Sequence, residues 1–301
     1  MELGGTKCVA ILATEAGDVL ARQTVPTCDP SETLPVLRTI LDGWNGFEAL
    51  GIASFGPVDL DPASPTWGHI TTTPKPGWPM ADVAGPLGGG LGVPVGFDTD
   101  VNGAALAEMR WGAGFGMQDF AYVTVGTGVG VGLVANGQPA RGFGHSELGH
   151  IRVARLPGDD WPGGCPYHGA CVEGLAAGGS IAARVGAGAA DLGDDDPVWE
   201  SVAHALAQLC HAIVCAAAPR RIAIGGGVVS GRPSLLPRIE AALVESLAGY
   251  VALPPGPYVV APGLGDLAGP LGAIAVGLNA AASCAASASS PKPRSGNEKG
   301  E

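Results

Sequence analysis

The densest chemistry in this chain lies in two neighbouring stretches, His145-Ser-Glu147-Leu-Gly-His150 and Cys165-Pro-Tyr-His168-Gly-Ala-Cys171-Val-Glu173. His150, Cys165, His168 and Cys171 are the nitrogen and sulfur donors that zinc takes in a tetrahedron. The C-x2-H-x2-C spacing lets one short loop supply three of them. Pro166 and Gly169 favour a tight loop over a packed helix face, which weighs against a metal-free Cys/His cluster in a core. Four protein ligands leave no open coordination position, so such an ion is expected to be structural. Glu147 and Glu173 bracket the cluster, and a pinned loop would fix where both carboxylates point. Their plainer reading is as solvated loop carboxylates.

A second concentration is Asp98-Thr99-Asp100-Val101-Asn102, which ends a strand read over residues 93–97 and leads into a helix read over 103–111. A carboxylate held at a strand end beside a helix start is rigid enough to accept a proton from an attacking hydroxyl. Capping the helix is the simpler role for Asp100, and Asn102 could serve as well. Three glycine clusters, Gly4-Gly5-Thr6-Lys7, Gly126-Thr127-Gly128 and Gly225-Gly226-Gly227, could bring backbone N–H groups close to phosphate oxygens. None is a Walker loop, because no Gly-Lys-Ser/Thr follows at the right distance. The first two sit in hairpins rather than before helices, so neither is a dinucleotide fingerprint.

The elements that must position these residues alternate between strands and helices. Gly4-Gly5-Thr6-Lys7 leads into an apolar strand, a turn at Gly17-Asp18 and a second strand. Residues 121–143 share that plan about 120 residues later, which suggests two related halves. Helices are expected over 30–44, 175–186, 198–218, 234–249 and 268–282, and strands over 50–55, 221–224 and 258–261. The Pro/Thr/Gly-rich stretch 60–79 is a loop long enough to suggest a function. His204 and His211 share a helical face with apolar neighbours and read as packing or surface residues. The pattern is α/β with largely buried sheets.

Composition bounds the rest. The 301 residues, 46% hydrophobic, suffice for about two domains. A net charge of −12 argues against nucleic acid. ATP could still bind through local N–H groups and a nearby Lys or Arg. Seven cysteines, an odd count, and the lack of a secretory signal fit a reducing cytoplasm. No run of about 20 uninterrupted apolar residues suggests a membrane span. Fifty glycines make any single glycine weakly informative. Residues 284–301 read as a disordered tail.

Taken together, Glu2-Leu-Gly-Gly-Thr-Lys7, Ser54-Phe-Gly-Pro-Val-Asp59, Ile70-Thr-Thr-Thr-Pro-Lys-Pro-Gly-Trp78, Thr99-Asp-Val-Asn102, Glu147-Leu-Gly-His150 and the Cys165–Glu173 loop resemble the ROK family of sugar kinases, over residues 2–280. Within it they are most similar to the zinc-containing bacterial fructokinases, with His168 where many members have Cys. The resemblance implies an actin/hexokinase/Hsp70-like (ribonuclease H-like) fold. A small domain over 1–112 and a larger one over 113–283 would flank a cleft, with the last helix able to pack back on the small domain. It implies Asp100 as general base, and Gly56, Thr99, Asp100, Glu147, His150 and Glu173 around a sugar. Gly4, Gly5, Thr6, Lys7, Thr127, Gly128, Gly225 and Gly226 would bind ATP, and His150, Cys165, His168 and Cys171 would bind zinc.

The activity implied is Mg-ATP-dependent phosphorylation of fructose at its 6-hydroxyl, by a cytoplasmic homodimer with no nucleic-acid or membrane partner. A glucokinase or N-acetylhexosamine kinase is the near alternative. A sugar-sensing regulator of the same family, or a non-catalytic sugar-binding protein, is the alternative of a different class. Family members carry several apolar residues before the acidic-x-Gly-Gly-Thr-Lys motif. Here only Met1 precedes Glu2, so the first strand is very short or the start lies upstream.

Overall fold

The computed structural model describes residues 1–289. The first half begins with β1 (Glu2–Leu3), β2 (Lys7–Ala13) and β3 (Val19–Pro26), followed by α1 (Pro30–Asp42), β4 (Leu50–Ser54), α2 (Ala84–Gly88) and β5 (Val95–Thr99). After α3 (Asp100–Trp111) the second half repeats the plan with β6 (Phe120–Val125), β7 (Val129–Ala135) and β8 (Gln138–Pro139). It continues with α4 (Val172–Ala176), α5 (Gly178–Val185), α6 (Val198–Ala217), β9 (Ile222–Gly225), α7 (Gly227–Ser230), α8 (Leu235–Leu247), β10 (Val259–Val260) and α9 (Ala268–Ser289).

Among the described residues the two sheets have the orders β3-β2-β1-β4-β5 and β10-β9-β6-β7-β8. In each, an antiparallel three-strand meander is followed by two parallel strands. The second order read backwards is the first, so the sequence repeat is a repeat of topology. Parallel strands must be covered on both faces, and β4 is buried along its whole length. The largely exposed β3 lies at an edge.

Each half has its own core. Leu37, Leu41, Ile52, Ile70 and Trp78 lie in the first, and Ile181, Trp199, Leu206, Ile213 and Leu243 in the second. A third cluster joins them, with Val9 and Ile11 of β2, Ala104, Ala105 and Ala107 of α3, Phe120 and Tyr122 of β6, and Leu271 and Ala275 of α9. α3 is buried from Val101 to Glu108, and its small side chains let it lie between the sheets.

Glycine is what permits this closeness. A Cβ at Gly51 of β4 would overlap the Ala273 carbonyl of α9, one at Gly272 would press on Gly103 of α3, and one at Gly132 of β7 would overlap the Val101 carbonyl. The composition bias that made single glycines look uninformative therefore hid a structural set.

Several sequence-based expectations shift. One helix over 175–186 is two, α4 and α5, broken at Ala177, which is extended (φ −67°, ψ 151°). The break lets Gly178 N–H donate to the Gly126 carbonyl at 2.8 Å. The loop over 60–79 is anchored: Ile70 and Trp78 are fully buried, and Trp78 Nε1 donates to the Cys28 carbonyl at 2.9 Å. The expected tail begins too early, because α9 runs to Ser289; the remainder of that tail lies outside the described residues. α6 and α9 are long and apolar enough to suggest membrane spans by composition, yet both pack as core helices here. His204 and His211 are indeed packing residues, bonded to the Ala154 carbonyl and to Ser246 Oγ.

The glycine set makes a stability prediction. Gly51→Ala should destabilise by ~1–3 kcal/mol or more, as overpacking does. Gly179→Ala, exposed within α5 with nothing near its added Cβ, should stabilise by ~0.5–1 kcal/mol. Urea unfolding midpoints of the two variants check both signs.

Candidate active site

The turn from β5 into α3 gives the cap to neither Asp100 nor Asn102. Thr99 is the N-cap, its hydroxyl accepting from Asn102 N at 3.1 Å. Asp98 is buried, and its Oδ1 accepts from Thr99 N and from Asn102 Nδ2, both at 2.8 Å. Its other oxygen accepts from the Arg141 guanidinium. The capping and bracing roles are thus filled by Thr99 and Asp98. Asp100, half-buried, has one oxygen on its neighbour's Val101 N–H at 2.9 Å and lines the cleft. Burial, then the nearby Glu2 carboxylate and also Glu147, push its pKa up to about 7. A base with that value changes state near neutrality, where general-base catalysis is most effective.

The cleft cavity, of about 250 Å³, is lined by Glu2, Lys7, Asp100, Gly225 and Gly226, with Arg22 of β3 and Asp266 before α9. Gly4, Gly5, Thr6, Thr127 and Gly128 are not among its lining residues and stand on the two glycine corners. In the first corner Gly4 N–H donates to the Lys7 carbonyl at 3.0 Å, and Thr27 Oγ1 donates to the Gly4 carbonyl at 2.7 Å. Nothing lies within 4 Å of where a Gly5 Cβ would be, so the outer face of that corner is open. In the second corner Gly126 N–H donates to the Gly128 carbonyl at 2.9 Å. Gly226 has φ +85°, and a Cβ there would press on the Val125 backbone. The turn from β9 into α7 therefore needs glycine.

The second group of predicted residues gathers where β7, the start of α4 and a short turn before it meet. Glu147 precedes a single 3₁₀ turn, Leu148–His150, pressed onto β7 so closely that a Cβ at Gly149 would overlap the Val129 carbonyl. His150 Nδ1, Cys165 Sγ, His168 Nδ1 and Cys171 Sγ lie within 4.8 Å of one another. The individual S···N separations are 3.7, 3.8 and 3.7 Å. A tetrahedral ion with bonds of ~2.3 Å to sulfur and ~2.0–2.1 Å to nitrogen has S···N edges of about 3.6 Å. The donor set is therefore already arranged to hold a metal ion. Cys165 and Gly169 exchange backbone hydrogen bonds in a tight hairpin, and Cys171 caps α4 through Gly174 N–H.

Glu173, in the first turn of α4, has Oε1 at 3.9 Å from His150 Nδ1 and accepts from Val129 N at 3.1 Å through Oε2. It braces the second glycine corner as well as facing the predicted sugar side. Gly56 lies against the His145 ring, 3.4 Å from where its Cβ would be. Reading the sequence gave Glu2, Arg22 and Asp266 no role in the cleft. Glu2 carried a signal, as an ionisable residue opening a strand two positions before a glycine corner. Arg22 and Asp266 had none, because only the fold brings β3 and the start of α9 to the same cavity.

The chain was compared with known proteins. Residues 1–279 match the ROK family. The fructokinase of Zymomonas mobilis is 42% identical over 290 residues, 93% of this chain and 96% of that protein. The fructokinase of Pediococcus pentosaceus is 41% identical over 278 residues, 91% of this chain and 95% of that protein. Among solved structures, a ROK family glucokinase from Streptomyces griseus in complex with glucose and AMPPNP superposes with a TM-score of 0.73 at 27% identity, covering 92% of this chain and 97% of that one. The actin/hexokinase-like architecture expected from the sequence is the one found. With a family match across almost the whole described chain and close relatives of the same length, this protein belongs to the ROK family.

Proposed function

We propose that this protein is a fructokinase that transfers the γ-phosphoryl group of Mg-ATP to the 6-hydroxyl of fructose. The reaction class rests above all on Asp100, a carboxylate left free by its capping and bracing neighbours and lining the cleft with Lys7, Gly225 and Gly226. Asp100 takes the proton of the hydroxyl as its oxygen bonds to the γ-phosphorus and the bond to the ADP oxygen breaks. Phosphoryl transfer asks the protein mainly for alignment and charge stabilisation. The corner N–H groups, Lys7 and the Gly225-Gly226 turn would supply these to the nucleotide. Glu2, which lines the same cavity, would be the carboxylate to meet the magnesium. Thr99, Glu147, His150, Glu173 and Gly56 would hold the sugar.

Fructose is favoured over glucose by the relatives. Those called fructokinase match more than nine-tenths of the chain at 41–42% identity, whereas the glucokinase of like fold is 27% identical. We assign the His150, Cys165, His168 and Cys171 cluster to one structural zinc. Bound through Nδ1, His150 keeps Nε2 for a sugar hydroxyl. ATP as donor and thiolate ligands both suit the cytoplasm.

Three measurements test this reading. In a side-by-side comparison with Mg-ATP, kcat/KM should be at least ~10-fold higher for fructose than for glucose, the scale of a lost hydrogen bond or two. Equal turnover on glucose would refute the sugar assignment.

Asp100→Asn should cut kcat by ~10²-fold or more, with ATP affinity near wild type. Asp98→Asn should cost less activity and more stability. For wild type, kcat/KM should climb with pH to a plateau above about 7 as Asp100 ionises. The stability sign is opposite. The folded pKa lies above the ordinary 3.8, so ionising Asp100 costs the folded state increasingly between about 4 and 7, and fully above that. Asp100→Asn should therefore melt higher than wild type at pH ~8, with the gap closing toward pH ~4.

Protein purified without chelator should contain one zinc per chain by elemental analysis. Cys171→Ser should lose both the zinc and several degrees of melting temperature.

A further inference from the structure

Residues 141–145, Arg-Gly-Phe-Gly-His, follow the edge strand β8 and cross to the first half. Arg141 and His145 face each other in an antiparallel bridge, and Gly142 N–H donates to the Gly144 carbonyl at 3.0 Å, so the segment is a narrow hairpin. Directly opposed residues point to the same face of a pair, and here that face meets the first half at two points. Arg141 donates to buried Asp98 on β5, 43 positions away. His145 Nε2 accepts from Val58 N–H at 3.0 Å, 87 positions away, in the loop after β4.

Because Nε2 accepts, the ring proton sits on Nδ1. That nitrogen is 3.5 Å from Glu147 Oε1 and 3.4 Å from the Ser146 carbonyl. The His145 side chain is only 6% exposed, whereas Phe143 at the tip is fully exposed. The hold therefore lies in the two polar anchors and not in the tip.

We infer that this hairpin is a strap that sets the width of the sugar side of the cleft, with Arg141 and His145 as positioning residues. Arg141 acts through Asp98, which fixes Thr99 and Asn102 and hence the start of α3 that carries Asp100. His145 acts through Glu147 on one side and the Gly56-Pro57-Val58 loop on the other. The strap therefore ties the catalytic carboxylate of one half to a sugar-holding carboxylate of the other. Loosening it should weaken sugar binding while leaving the nucleotide corners, which it does not touch, as they were. The inference rests on the sugar-kinase reading for its kinetic consequence but not for the strap itself.

The test uses the full chain. His145→Ala removes the acceptor for Val58 N–H, whereas a His145→Gln side-chain oxygen can replace it. His145→Ala should raise the KM for fructose at least tenfold while moving kcat and the KM for ATP less than threefold, and His145→Gln should recover most of the loss. Phe143→Ala should leave all three constants unchanged. Arg141→Ala is made in an Asp98→Asn background, so that no unpaired carboxylate is left buried; it should raise the fructose KM above that of Asp98→Asn alone.

Hydrogen exchange on the ligand-free protein reads the strap without catalysis. Protection of the Val58 amide should drop at least tenfold in His145→Ala and return in His145→Gln. Unchanged Val58 protection overturns the strap. So does a fructose KM within twofold of wild type in His145→Ala, a parallel rise in both KM values with a lower melting temperature, or an equal loss in Phe143→Ala. If wild type turns over no hexose, the kinase reading falls and the exchange experiment alone decides the strap.

Discussion

Three consecutive polar residues at the end of β5 have three different electrostatic fates. Asp98 is driven inward, where a charge survives only if it is paired and fully hydrogen-bonded; Thr99 N–H, the Asn102 amide and the Arg141 guanidinium meet that demand. Thr99 satisfies one of the free amides at the start of α3. Asp100 is left with only a neighbour's N–H and an aspect onto the cleft. Its basicity follows from what the other two have absorbed: with few donors left, burial and then the Glu2 carboxylate raise its pKa.

That turn can face a cleft only because two helices lie between the sheets, and they fit only because their contacts are backbone to backbone. Gly103 on Gly272 joins α3 to α9, Gly51 lets α9 lie on β4, and Gly132 lets α3 lie on β7. Side chains at these positions would separate the halves by about an ångström or more per contact, and the cavity lined by Glu2, Asp100 and Gly226 would change shape. The repeated meander-plus-parallel topology gives each half a glycine corner between its first two strands, and Lys7 of the first corner and the Gly225-Gly226 turn line the same cavity.

How much of this was legible in the sequence depended on whether the information was local. The Cys165–Cys171 ligand spacing, the Asp-x-Asn strand end and the repeat of corner, strand, turn and strand are short-range patterns, and the structure contains each of them. The cap was left open between Asp100 and Asn102, and the structure gives it to Thr99. Thr, Asp and Asn are all good caps, and only the burial of Asp98 decides among them. The bond from Gly178 to Gly126 in another element, which accompanies the break at Ala177, was silent in the sequence, although Gly178 and Gly179 are themselves weak helix formers. Glu108 was equally silent. It is fully buried and accepts from Ala113, Gly263 and Leu264 N–H groups, two of them more than 150 positions away. Long-range satisfaction of a buried charge leaves no trace in periodicity.

The Cys/His loop also reaches further than its spacing suggests. Cys171 caps α4, which places Glu173 so that one oxygen faces His150 and the other takes the Val129 N–H at the start of β7. A Cβ at Gly128 would stand 2.7 Å from that oxygen, so the second glycine corner is shaped around the carboxylate. Gly178, just past the end of α4, bonds to Gly126 on the other side of the same corner. The corner is thus gripped from both sides, by Glu173 of α4 and by Gly178 at the start of α5, and the N-cap of α4 is itself a member of the ligand cluster. An ion in that cluster would hold the side chains proposed to face the sugar and, through five residues of helix, the corner proposed to meet phosphate. Two substrates that must meet in line would be referenced to one rigid origin, which is the geometric requirement of phosphoryl transfer.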